Sequence, residues 1–174
     1  YEKLVEKFNT LGENAKATEP GKTIADRIQK LSAVAVGQVA PDFTLNTPDG
    51  KPLSMHSIKG KVKVIDFWAS WCGACRATMP HLKDIYPEYK KKGVEFFSVS
   101  LDDKEEDWKK AFKEEALPWI DGSNLLGWKD PVAKQYAITG IPFKILIGKD
   151  GIIVDKGFAR FVPWKKQWTI IWII

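Results

Sequence analysis

Cys72 and Cys75 are the only cysteines in this 174-residue chain, and they stand two residues apart in "WASWCGAC" (68–75). A thiol pair at that spacing has three chemical uses: half of a tetrahedral metal site, a structural bridge, or dithiol–disulfide exchange. Zinc would need two more ligands, and the chain has only two histidines. His81 follows Cys75 by six residues on one expected helix, nearly opposite its thiol, and His56 stands in a separate loop. Neither completes the usual ligand pair, so no metal is expected. A bridge between residues three apart removes little entropy from the unfolded chain, which weighs against a purely structural staple.

The surroundings of the pair favour exchange. "KVKVIDFW" (61–68) is β-branched and aromatic, as a buried central strand requires. The cysteines follow where that strand gives way to a helix. Cys72 would open the helix, where unpaired backbone N–H groups and the macrodipole favour an anion. Such a position lowers a thiol from a pKa of ~8.5 toward ~7 or below. Cys72 is therefore expected to attack, and Cys75, one turn further in and shielded, to resolve the mixed disulfide. Gly73 would let a partner backbone come close.

Other strands and helices must hold that junction. "APDFTLNTPDGKPLSM" (40–55) alternates apolar and polar residues about Pro48-Asp49-Gly50, a hairpin signal. Cys75 to Lys92 reads as a helix interrupted at Pro80 and stopped by Gly93. "VEFFSVSLD" (94–102) is a second buried strand, and 104–116 is an amphipathic helix with Trp108 and Phe112 four apart. A short helix over 131–136 precedes "ITGIP" (138–142), and "FKILIGKDGIIVDKGF" (143–158) reads as two strands joined at Lys149-Asp150-Gly151. Strands alternating with helices, then a closing hairpin, predict an α/β fold with helices on both faces of a mixed sheet.

Residues 1–35 read as a helical appendage and 36–174 as the main domain. One helix is expected over 1–16. Pro20-Gly21 should break it, with Thr23 capping a second helix to about Val34. Near the other end, Pro163 could open a terminal helix bearing Trp164, Trp168 and Ile171 on one side. The chain starts at Tyr1 without an initiator methionine or signal peptide, as expected of a processed or excised product.

Composition narrows the classes. Hydrophobic residues make up 44% and charged ones 28%, ordinary for a globular chain, and no apolar run reaches the ~20 residues that span a bilayer. The net charge is +5, with lysines scattered among acids as on solvated helix faces. No nucleic-acid motif is present, and no nucleic-acid partner is expected.

"VIDFWASWCGAC" (64–75), Pro80 and "ITGIP" together resemble the thioredoxin superfamily. With "VGQVAPDFTLNTPDGK" (36–51) before them, the resemblance narrows to the TlpA/ResA-like thiol–disulfide oxidoreductases, which have an AhpC/TSA-type thioredoxin-like domain, and it covers about residues 36–158. It implies a thioredoxin-like fold with an N-terminal hairpin and an inserted αβ segment, here about 102–130. It further implies a protein-disulfide reductase without cofactor, acting outside the bacterial cytoplasm as a monomer. Partners would be disulfide-bearing or dithiol client proteins, with apocytochrome c among the possible clients, and an upstream electron-donor protein. A membrane tether would have to come from a segment preceding Tyr1. A DsbA-like oxidant and a non-catalytic binding module are the competing roles.

The resemblance also assigns residues. Asp66 matches the buried acid that would pass protons to and from Cys75, with a raised pKa. Pro142 matches a cis-proline facing the dithiol, and Ile141 before it would offer its backbone to a bound polypeptide. Trp71 would flank Cys72 as an apolar contact, while Trp68 packs beneath as core. Trp119 and Trp128 are either core or groove border. "APDFTL" also occurs in peroxiredoxins, but their P-x-x-x-T-x-x-C pattern fails here, with Ile65 and Ala69 at the Pro and Thr positions. Peroxide reduction is not expected.

Overall fold

The computed structural model describes residues 1–158. The terminal helix expected about Pro163 lies outside the described residues. The backbone holds six α-helices and seven strands among those residues: α1 (Glu2–Asn9), α2 (Glu13–Ala17), α3 (Glu19–Ala33), β1 (Thr44–Asn46), β2 (Pro52–Ser54), β3 (Val62–Trp68), α4 (Gly73–Lys91), β4 (Val94–Ser100), α5 (Glu105–Glu115), β5 (Ile120–Gly122), α6 (Pro131–Gln135), β6 (Phe143–Ile147) and β7 (Ile153–Phe158). No described helix is long and apolar enough to cross a membrane.

Five strands form the main sheet in the order β5-β4-β3-β6-β7, and β1 and β2 form a separate hairpin. β3, β4 and β5 run parallel, while β6 is antiparallel to β3 and β7 antiparallel to β6. β3 is therefore central, and both its faces are buried. Ile65 and Phe67 point to one core with Phe43, Leu45, Met55, Val132 and Tyr136. Val62, Val64 and Trp68 point to the other, where α4 and α5 supply Cys75, Met79, Leu82, Trp108 and Ala111. Helix thus covers each face, as the strand–helix alternation predicts. The β1–β2 hairpin also forms, with Gly50 in the left-handed region (φ +80°) that its turn demands.

Three expectations need correction. The first helix does not run to Lys16: α1 ends at Asn9 and α2 begins after Gly12, which lies in an extended conformation. Pro20-Gly21 does not break a helix but lies inside the first turn of α3. Thr18, not Thr23, is its N-cap and accepts the Gly21 N–H. Proline has no N–H to lose in a first turn, so it opens a helix there as readily as it ends one elsewhere. Pro80 does not interrupt α4, which is assigned as one helix from Gly73 to Lys91. β5 was not foreseen. Three residues are too few for alternation to show, and only pairing beside β4 makes them a strand.

Candidate dithiol site

The site is built at the C-terminal end of β3. After Trp68 the chain turns through Ala69, Ser70 and Trp71, and Cys72 becomes the N-cap of α4. Its sulfur accepts the Cys75 backbone N–H at 3.1 Å, the bond a capping side chain makes. The structure holds Cys72 and Cys75 as a disulfide (S–S 2.04 Å). The two sulfurs differ in access: Cys72 is 7% exposed and Cys75 not at all.

A carboxylate holds the turn before Cys72 in place. Asp102, just past β4, accepts the Ser70 backbone N–H at 3.0 Å and the Ser70 hydroxyl at 2.5 Å, and the Ser100 hydroxyl at 2.6 Å. This clamp was missed, although "SVSLD" places an acid at the end of a strand expected to lie beside β3.

Asp66 lies on the α4-facing side of β3, between Val64 and Trp68, and is buried. Its Oδ1 accepts from Lys144 Nζ at 2.5 Å, whereas Oδ2 has no hydrogen-bond partner among the described residues. Burial pushes the carboxyl above its ordinary value, and the Lys144 ammonium works against that rise. Lys144 is the unforeseen half of this pair. Its only trace in the sequence is one charge inside "FKILI", a strand otherwise apolar on both faces.

Ile141 and Pro142 precede β6 and are joined by a cis peptide bond. Ile141 packs, partly buried, against both cores. Because β6 is paired to β3, this loop is carried at the same end of the sheet as the dithiol turn: Phe143 is the register partner of Phe67. A Cβ on Gly73 would meet no atom within 4 Å, so nothing in the described chain itself requires glycine there.

Tryptophans sort into two roles. Trp71 and Trp128 are 55% and 46% exposed, with ring centroids 6.3 Å apart, and they form an apolar ledge beside Cys72. Trp68, Trp108 and Trp119 are core, and each spends its indole N–H on a buried oxygen. Trp68 and Trp108 donate to the two oxygens of Asp121 at 3.1 and 2.7 Å, and Trp119 donates to Ser98 Oγ at 2.7 Å. The sequence left Trp119 and Trp128 undecided between core and groove. The structure buries Trp119 in the core and leaves Trp128 exposed beside Trp71. His56 lies away among Ala40 and Asp42, with Nε2 3.2 Å from the Ala40 carbonyl.

A strand–turn–helix that caps a helix with one sulfur and buries its disulfide partner defines a thioredoxin-like thiol–disulfide oxidoreductase. The relatives agree. Residues 36–156 match the model of the AhpC/TSA family, and the chain belongs to that family. It is 34% identical over 125 residues to a thiol–disulfide oxidoreductase ResA of Bacillus cereus, covering 70% of this chain and 68% of that protein. Among solved structures it is similar to the thioredoxin domain of a thiol–disulfide oxidoreductase from Bacteroides vulgatus (TM-score 0.71, 34% identity, 79% of this chain and 98% of that one). It is also similar to a thiol–disulfide oxidoreductase from Bacteroides fragilis (TM-score 0.69, 31% identity, 76% and 99%). The protein is an enzyme of dithiol–disulfide exchange with protein clients.

Proposed function

We propose that the enzyme reduces disulfides of client proteins outside the bacterial cytoplasm, with apocytochrome cysteine pairs as one client class. The ResA-like resemblance supports the compartment and client. One observation carries the roles of the residues: Cys72, slightly exposed, caps α4 with its sulfur, while its partner Cys75 is fully enclosed.

In the reduced enzyme, the Cys72 thiolate attacks one sulfur of the client disulfide. The client's other sulfur leaves as a thiolate and takes a proton from water. Cys75 then gives its proton to Asp66, whose Oδ2 is an open acceptor, and its sulfur attacks Cys72, expelling the client's second sulfur as a thiolate that takes a proton from water. The client leaves as a dithiol, two electrons richer, and the enzyme is left as the disulfide. An upstream dithiol protein restores the reduced pair. Trp71 would bear on the client's apolar side chains, Gly73 would leave room for its backbone, and the Ile141 backbone beside Pro142 would pair with it in strand fashion. Of residues 1–35, the three helices act as an appendage: α1 and α2 bury none of their residues, α3 buries only Gly21, and the family match begins at residue 36, while Val34 already belongs to the main core.

The first experiment is a redox titration against dithiothreitol and glutathione. A potential near the roughly −270 mV of thioredoxin-type reductants is expected, and one near roughly −120 mV would make the protein an oxidant instead. Cys72→Ser should abolish insulin-disulfide reduction and Asp66→Asn should slow it. Retained turnover in Cys72→Ser would refute the mechanism.

A further inference from the structure

The α4-facing side of the sheet carries a row of polar side chains at one level. Asp121 on β5, Ser98 on β4, Asp66 on β3 and Lys144 on β6 are register partners in turn, and all four are buried. The exchange steps above use only Asp66. Asp121 has no part in them, yet it sits fully buried and receives the indole N–H groups of Trp68 and Trp108, one on each oxygen.

Charge counting constrains this row. An uncompensated charge taken out of water is costly, so the favoured state is electrically neutral. Two carboxylates and one ammonium leave a surplus negative charge, which one proton on the acids removes. Lys144 is paired with Asp66, and neither acid has another ion-pair partner among the described residues. From α4, the titratable groups packed on this side are Tyr86 and Tyr89, joined by Cys72 and Cys75 only when the disulfide is reduced. α5 turns Trp108 and Ala111 inward and carries its charged residues outward, apart from the half-buried Glu115, which pairs with Arg76.

We propose that Asp66 and Asp121 hold one proton between them, so that the charge on Asp121 sets how strongly Asp66 holds a proton and makes Asp121 a positioning acid for exchange. The proposal rests on the role given to Asp66 above. With the shared proton on Asp121, Asp66 is a carboxylate and its Oδ2 can accept the Cys75 proton as the Cys75 sulfur bonds to Cys72. Burial pushes the Asp121 carboxyl up to about 7, the indoles and the Gly122 N–H opposing and the Asp66 charge adding to it. The sharing therefore changes within the neutral range.

Because two indoles bond directly to Asp121, tryptophan emission reports its charge. The disulfide form, without client, is titrated from pH 5 to 9. A one-proton emission transition near neutrality is expected in the wild type and is lost in Asp121→Asn. In Asp66→Asn the midpoint falls by about one pH unit, the coupling at which two sites titrate as a pair. Trp108→Phe, which removes one donor to the carboxylate, moves the midpoint up and serves where Asp121→Asn does not fold. The wild-type insulin-reduction rate inflects at the emission midpoint, and the Asp121→Asn rate does not. A flat emission curve, a transition that survives in Asp121→Asn, a midpoint unmoved by Asp66→Asn or Trp108→Phe, or a rate inflection kept in Asp121→Asn overturns the proposal. A protein that shows the emission transition but reduces no insulin would sink the functional assignment alone.

Discussion

Replacing Lys144 with methionine removes the cation beside Asp66 and leaves an apolar chain of similar length. The ion pair is 3% and 1% exposed with 2.5 Å between the charged atoms, so solvent screens it little. At an effective dielectric of roughly 20 the attraction is about 7 kcal/mol, offset by several kcal/mol of desolvation for each ion. Losing one partner leaves a buried carboxylate without its counter-charge, and Asp66 escapes by keeping its proton. The folded carboxyl already lies above its ordinary value, and the substitution raises it further. A raised carboxyl contributes stability that is full below the unfolded value, near 3.9, and is lost as pH rises toward the folded value. The loss is about 1.4 kcal/mol per pH unit while the folded carboxyl stays protonated, at most about 4 kcal/mol between pH 5 and pH 8. Urea unfolding of Lys144→Met and of Lys144→Met/Asp66→Asn across that range isolates the Asp66 contribution. The single variant should lose up to about 4 kcal/mol more than the double variant, enough to threaten a domain stable by about 5–15 kcal/mol. Parallel pH curves for the two proteins would refute the buried-pair account.

Three further outcomes follow from the geometry. Asp102→Ala leaves the Ser70 N–H without its acceptor and should cost about 1–3 kcal/mol by thermal unfolding, with slower exchange as the Cys72 turn loosens. If Trp71 bears on the client as proposed, Trp71→Ala should lower kcat/KM for insulin by roughly tenfold while leaving reduction by dithiothreitol within about twofold. A Cβ on Gly122 would stand 2.9 Å from Leu45 Cβ and 3.3 Å from Phe97 Cζ, so Gly122→Ala should cost about 1–3 kcal/mol in a denaturant melt, and an unchanged midpoint would show that β5 can shift away.

The order of events along the chain was legible from residue types. The β-branched and aromatic stretch 62–68, the dithiol after it, the helical spacing of Trp108 and Phe112 in α5, and the Asp-Gly turn before β7 are local signals, each set by neighbours a few residues apart. They sufficed to place one sulfur at a helix start, because strand end and helix cap adjoin in sequence. The burial of Asp66 was expected only from the resemblance of "VIDFW" to strands that carry a buried acid, because alternation with Ile65 and Phe67 does not say whether the opposite face is covered.

What stayed hidden is whatever depends on pairing across the sheet. Lys144 lies 78 residues from Asp66, and Asp121 lies 53 from Trp68. Nothing local marks either as a partner: Lys144 reads as a stray charge in a strand, and Asp121 falls where no strand is legible. Only the strand order β5-β4-β3-β6 brings Asp121, Ser98, Asp66 and Lys144 to one level. The exposure of Trp128 and the burial of Trp119 were likewise decided by how the segment after α5 folds back, because nine residues of one chain carry both tryptophans to opposite environments. Periodicity ranks residues along one element. The electrostatics of this site belong to four strands at once, and those meet only in the folded protein.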